Sequence, residues 1–451
     1  MKELTAGKPA KIILFFALPI WLGSLFQQLY SMIDTIIVGR YIGTDAIAAV
    51  GSTSYISALI INFMSGLTNG FAIITARHFG AGNMERVRKT VGSTIVLGLS
   101  LSAVFTAAVL LLLDPFLRLL NTPDEIFSMA DEYITIIIAG MTVTMLYNMA
   151  SGVLRAIGDS VTPLIFLVIS SLINIVLDIL FISVFSMGTS GAAYATLISQ
   201  FAAFVLCVIH ILRKCPYLHL SKHDFLLESG MVKEMMATGT SMGLMYSVVE
   251  TGSLILQGAI NLFGTAIITA HTAARKLSSL LMLPYSALGS ACATYCSQNY
   301  GAGKYSRIGK GVKSAILISW VWSAIAIAAA FLISPALVRL ITDTSDMTII
   351  DTAAKYMRVN TPFYFVLGVL IVMRTSLQGL GQKIVPVLSS SIELLGKALA
   401  AWIAAPLLGY FGVMISEPIV WIFCTILLTS SYFGSKKLRK LRSLPDGAPL
   451  E

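Results

Sequence analysis

The chain is divided into long apolar blocks by short charged stretches, and this spacing constrains its fold more than any other feature. A helix needs about 20 mostly apolar residues to cross a bilayer, whereas a transmembrane β-strand reads as about 10 alternating ones. Twelve blocks meet the helical requirement, near 12–39, 45–76, 90–113, 126–154, 161–186, 190–212, 234–261, 265–298, 312–338, 350–373, 384–405 and 411–434. Only 12% of the 451 residues are charged, against roughly 25% in soluble domains. That complement cannot cover a globular surface, so a soluble enzyme is excluded. The expected fold class is an all-α polytopic membrane protein. The first block carries Pro19, Gln27, Gln28 and Asp34 without a small-residue cleavage site, so no cleavable signal peptide is expected.

The net charge of +9 acquires meaning only through its placement. With the N-terminus inside, 23 of the 31 Lys and Arg fall in inner segments and five in outer ones, Arg40, Arg118, Arg339, Lys355 and Arg358. Arg275, Lys276 and Lys397 remain within spans. This positive-inside bias predicts cytoplasmic N- and C-termini and gives the basic excess a lipid-facing role, so no nucleic-acid partner is expected. The five cysteines are scattered through apolar blocks and form no disulfide framework. Cys292 and Cys296, four residues apart, read as packing residues, with no His or Cys nearby to complete a metal site.

Residues Gly43–Ser93 align without gaps on Gly264–Ser314 at an offset of 221, with 16 of 51 positions identical. Gly80-Ala81-Gly82 matches Gly301-Ala302-Gly303. Tyr133, Gly158 and Pro163 pair with Tyr356, Gly381 and Pro386 at an offset of 223. Six spans repeated with the same starting side make a parallel repeat, an arrangement found in transporters whose site lies between the halves. The expected organisation is two six-helix lobes, residues 1–222 and 223–451, joined by the polar stretch Arg213–Lys233. Pro19, Gly23, Pro284, Gly289 and Pro406 predict bends.

Ionisable groups inside spans are expensive and are functional candidates. Here they are Asp34, Asp178, Glu250, Arg275, Lys276, Glu393, Lys397 and Glu417. Gln27 and Tyr30 share the helical face of Asp34, and Asn174 shares that of Asp178. With Thr196 in the next span, Asp34, Asn174 and Asp178 supply hard oxygen ligands for H⁺ or Na⁺. The competing reading makes Asp34 a solvated helix-end residue and Asn174/Asp178 interhelical hydrogen-bond glue. Glu393 and Lys397 read as an i, i+4 ion pair. Glu250 has no evident partner in sequence, with Arg275 and Lys276 open to it. Candidate substrate-cavity residues are Gln27, Tyr30, Met145, Asn148 and Glu250. Met145 belongs to a stripe with Met141 and Met149 that packing alone also explains. There is no nucleotide-binding loop and no room for an ATPase domain, so transport must draw on an ion gradient.

Leu18-Pro19, Gln27-Gln28, Asp34-Thr35, Val38-Gly39-Arg40, Gly80-Ala81-Gly82, Leu154–Asp159 and Leu377–Gly381 together resemble the multidrug and toxic compound extrusion (MATE) family across nearly the whole chain. The resemblance implies twelve helices in two lobes, and export of amphipathic cationic drugs by antiport against H⁺ or Na⁺, with no other cofactor. It carries a cation site to Asp34, Asn174, Asp178 and Thr196, and an acidic seventh-span role to Glu250. An acidic tenth-span residue expected near Leu367 is missing, which favours the N-terminal site. The expected setting is the bacterial cytoplasmic (inner) membrane, with the chain working as a monomer. Two alternatives remain: a flippase of lipid-linked oligosaccharides, for which Arg275, Lys276 and Lys397 speak, and an intramembrane enzyme, for which no nucleophile–base set is present.

Overall fold

A computed structural model describes residues 4–119, 123–342, 344–435, 439 and 445–447. Every expected block is helical. The first repeat comprises α1 (Pro9–Tyr41), α2 (Thr44–Gly80), α3 (Met84–Leu119), α4 (Asp124–Ala139), α5 (Met141–Ala156), α6 (Val161–Asp178) and α7 (Gly188–Lys214). The second comprises α8 (Ser229–Ile260), α9 (Thr265–Gly301), α10 (Tyr305–Leu332), α11 (Ser334–Thr342), α12 (Met347–Asn360), α13 (Tyr364–Gly379), α14 (Ile384–Leu399), α15 (Ala405–Leu408) and α16 (Tyr410–Gly434). Among the described residues, ten helices are long and apolar enough to cross a membrane, or eleven with α4–α5 as one bent span. The more polar α8, 32 residues long, completes the twelve. Lys2, Lys436, Lys437, Lys440 and Arg442 lie outside the described residues.

The fourth span of each repeat differs from the single helix expected. The first copy bends by 44° at Gly140, where the backbone is pressed against the Leu197 side chain. The second passes through a 3₁₀ turn, Thr361–Phe363, whose Pro362 has no N–H to continue the α-helical ladder. By contrast, α1 and α9 remain continuous through Pro19 and Pro284.

The duplication is legible in the backbone itself. Left-handed glycines recur as Gly43/Gly264, Gly82/Gly303, Gly158/Gly381 and Gly188/Gly409. A π-helical segment follows α6 at Ile179–Val184 and α14 at Ala400–Ala404, again 221 residues apart at their starts. The same helix pairs meet in both copies: α2 with α4 and α5 as α9 with α12 and α13, and α6 with α7 as α14 with α16.

The packing units exchange helix segments relative to the sequence repeat. Leu22–Gly243 form one compact unit, and Leu4–Trp21 with the chain from Leu244 form the other, so the chain crosses inside α1 and inside α8. The first half of α8 is held in the N-terminal unit by glycine contacts. A Cβ at Gly66 would lie 2.5 Å from Gly243 Cα, and one at Gly70 would lie 2.5 Å from Gly239 Cα. Two small-x-x-x-small motifs thus bring the α2 and α8 backbones into contact, and dispersion replaces the hydrophobic drive that lipid removes. Arg77 Nη1 then bonds Glu234 Oε1 at 2.6 Å beside this contact.

The stretch before α8 is more ordered than its composition suggests. It contains two 3₁₀ turns, Pro216–Leu218 and Lys222–Phe225, and buries Asp224. The Asp224 carboxylate accepts from Ser221 N–H (2.7 Å) and Ser221 Oγ (2.9 Å), and faces Arg88 Nε at 3.8 Å. Glu228 pairs with Arg86 and Lys89, each at 2.7 Å. The motif Ser221-x-x-Asp224 recurs as Ser443-x-x-Asp446. Asp446 accepts from Ser306 N–H and Oγ on α10 at 2.9 and 2.6 Å. Each repeat therefore ends in an acidic strap over the start of its own third helix, α3 or α10.

Gly243→Leu should cost about 1–3 kcal/mol by overpacking, read as a lowered unfolding temperature in detergent. Gly258→Ala, where a Cβ meets open space, should be neutral or stabilising by about 0.5 kcal/mol. For Asp224, burial alone would push the carboxyl up, but the Ser221 hydrogen bonds and the Arg88 and Lys89 charges hold it below its ordinary value. Its contribution is present above the unfolded pKa and lost as pH falls through the lower folded one. Asp224→Ala should thus cost about 1 kcal/mol at pH 7, and the difference from wild type should shrink below about pH 4.

Candidate cation site and a buried charge network

In the N-terminal unit, α6 presents Asn174 (1% exposed) and Asp178 (0% exposed) one turn apart on one face. Asp178 is the last residue before the π segment, a distortion often found at functional positions. The carboxyl of Asp34 on α1 meets that of Asp178 side chain to side chain. Both Asp178 oxygens, Asp34 Oδ1 and both polar atoms of Asn174 are buried without a hydrogen-bond partner. Buried polar groups are nearly always paired, so a cluster of five orphaned atoms, four of them oxygens, is anomalous for a structural role. A proton or small cation placed among them satisfies the orphaned oxygens. The glue reading of Asn174/Asp178 therefore finds no bond to support it.

Thr196 lies on α7, half-buried. Helices α6 and α7 run antiparallel, with Ser170 Oγ donating to Ser199 O (2.7 Å) at one level and Gly191 against Phe181 and Ile182 at the other. This register sets Thr196 level with Asn174. Sequence reasoning missed Tyr133 of α4. It packs against Ile37, Val38 and Ile182 and lies within electrostatic reach of Asp34 and Asp178, as does Tyr30. Its pairing with Tyr356 in the repeat was the available signal. Gln27 is exposed and bonds Tyr30. Asn148 donates to Ser65 Oγ at 3.3 Å. Met145, 1% exposed, packs in the core with Met141, Met149, Phe71 and Ile138.

The C-terminal unit solves the same burial problem differently. Arg275 Nη1 bonds both Glu417 oxygens, at 2.9 and 3.1 Å, and Tyr356 OH donates to Glu417 at 3.2 Å. Lys397 Nζ lies 3.7 Å from Glu417, 3.4 Å from Glu393 and 3.0 Å from Ser253 Oγ. Arg374 closes the chain, bonding Glu393 at 3.2 Å and Ser389 Oγ at 2.9 Å. The expected Glu393/Lys397 pair is thus part of a network of three cations and two anions. Arg374, grouped by sequence with the inner-loop cations, is buried here. Arg275 pairs with Glu417 instead of Glu250, and Glu250 is half-buried with no ion pair among the described residues. Leu367 is a core residue. Cys292 and Cys296 are buried, their sulfurs 4.0 Å apart, with Ser376 Oγ at 3.2 Å from Cys292. A groove of about 540 Å³ along α14 and α16 is lined by apolar residues such as Leu395, Ile403 and Phe423, which suits acyl chains and not a charged solute.

The MatE family model matches residues 19–180 and 242–403, two copies whose starts and ends are each 223 residues apart. The chain is 32% identical over 307 residues to the probable multidrug resistance protein YpnP of Bacillus subtilis, covering 68% of each. It is 25% identical to the probable multidrug resistance protein NorM of Thermotoga maritima, over 85% of this chain and 83% of that one. A solved structure of MATE in complex with MaL6 superposes with a TM-score of 0.90 at 24% identity, over 98% of this chain and 99% of that one. The chain belongs to the MATE family. It is a multi-pass membrane transporter, not an enzyme.

Removing one partner from a buried ion pair costs about 3–5 kcal/mol, because it strands the other charge. Glu417→Gln, which leaves Arg275 and Lys397 under-compensated, should lower thermal stability by that order. Glu250→Gln, which strands nothing, should leave it within about 0.5 kcal/mol. Unfolding curves in detergent compare the two.

Proposed function

We propose that the protein is a secondary active exporter that antiports amphipathic organic cations against H⁺ or Na⁺ by alternating access, with the coupling ion held by Asp34, Asn174, Asp178 and Thr196. The observation that carries this reading is the set of buried oxygens with no hydrogen-bond partner among the described residues. The multidrug-resistance relatives support the substrate class. The cycle needs the coupling ion to bind one arrangement of the transporter more tightly than the other, since equal affinity would shift no population. Entry of the ion from the side of higher potential would neutralise the carboxylate pair and stabilise the form that releases drug. Glu250, an uncompensated carboxylate on α8, suits the cationic group of the substrate. The basic ends of the lobes support cytoplasmic termini in a bacterial inner membrane.

A second reading, a flippase of lipid-linked oligosaccharides, draws support from Arg275 and Lys276 on α9. Complementation of a flippase-deficient strain separates it from export. In proteoliposomes, ethidium movement should follow an imposed Na⁺ or pH gradient, and the effective gradient names the ion. Asp178→Asn should lower coupled transport at least about 100-fold while leaving membrane expression intact. Undiminished transport by that variant would overturn the site.

A further inference from the structure

The exposed residues of α9 are Thr265, Thr269, Thr272, Lys276, Ser279 and Ser286, and none is apolar. They recur at intervals of three, four or seven and form one stripe along a helix long enough to span the membrane. Other spans of the same chain expose the opposite chemistry: α3 shows Leu99, Val104 and Leu111, and α10 shows Leu317, Val321 and Ile325. An unpaired lysine within a row of hydroxyls is costly against lipid hydrocarbon, so this face of α9 suits a polar surrounding better than acyl chains. In the first repeat the positions matching Arg275 and Lys276 are Ser54 and Tyr55, so the cations belong to the second repeat alone.

Lys276 lies about 16 Å along the helix from Thr265, taking 1.5 Å per residue. It has no ion pair among the described residues. Beside it in sequence, the Arg275 side chain is 37% exposed while its Nη1 is held by Glu417, which Tyr356 OH bonds in turn. A fixed guanidinium next to a free ammonium on a hydroxyl-lined face is suited to a carboxylate or phosphate oxygen pair. We propose that Arg275 and Lys276 form an anion-binding subsite that takes the acidic group of the transported amphiphile, so that substrates carrying a carboxylate or phosphate are preferred over simple cations. This inference deepens the export reading and rests on it for the identity of the cargo.

The test uses purified full-length protein in proteoliposomes and a matched pair of probes, norfloxacin and its methyl ester, which lacks the carboxylate. Lys276→Gln should raise the KM for norfloxacin about tenfold and leave that for the ester within about twofold, and Lys276→Arg should restore the wild-type ratio. Direct binding of norfloxacin, followed by its fluorescence, should weaken in parallel. Inhibition of that binding by farnesyl pyrophosphate, lost in Lys276→Gln, would support the same subsite with a lipid pyrophosphate as its source. Equal loss for both probes, or no change for either, would overturn the subsite. Failure of wild type to move ethidium would sink the export reading alone, because the binding arm still reads the subsite.

Discussion

A charge in hydrocarbon costs from about 2.5 to more than 10 kcal/mol unless something compensates it, and the whole structure can be derived from how this chain meets that cost. Most basic residues avoid it by lying at helix ends, where acidic straps such as Asp224 and Glu228 engage them. Those that cannot avoid it occupy three settings. Glu393 and Glu417 are neutralised by covalently tethered cations. Lys276 lies on the exposed hydroxyl stripe of α9 with no ion pair among the described residues. Asp34 and Asp178 face each other, with Asp34 Oδ1 and both Asp178 oxygens buried and lacking a hydrogen-bond partner among the described residues.

The comparison between repeats sharpens this point. At the family offset of 223, Lys397 falls where the first repeat has Asn174. The second repeat therefore carries its own ammonium near the position at which the first offers an amide and two carboxylates. The duplicated scaffold, with matching π segments and left-handed glycines, holds a paired charge network in one copy and, in the other, a cluster of buried polar atoms with no hydrogen-bond partner among the described residues.

Much of this was legible in the sequence because burial cost and helical periodicity act locally. Asn174 and Asp178 announce themselves as polar residues one turn apart in an apolar block, and the repeat is visible from Gly80–Gly82 and Gly301–Gly303. What was not legible depends on tertiary context. Arg374 sits beside the glycine-rich turn at Gly379–Gly381 and reads as a loop cation until α14 supplies Glu393. The bend at Gly140 is set by Leu197 on a distant helix. Ser and Thr of α9 read as mild interruptions of an apolar run, and only the burial pattern reveals that with Lys276 they form its exposed face.

The crossing of α1 and α8 between packing units follows from the same economy of contacts. In a bilayer, helices associate through close backbone approach and not through hydrophobic drive. The glycine pairs Gly66/Gly243 and Gly70/Gly239 give α8 its tight seat in the N-terminal unit. The residues matching Gly66 and Gly70 in α9 are Ala287 and Ala291, and the N-terminal part of α1 packs in the same core as Ala291 through Phe16 and Ala17. Leu4 and Thr5 pin that segment by hydrogen bonds to Gln298, Asn299 and Lys304. Each crossing helix is thus anchored at one end in the unit opposite to its own repeat. Asp34 and Glu250 lie on those two helices, each beyond the point at which its helix passes from one unit to the other.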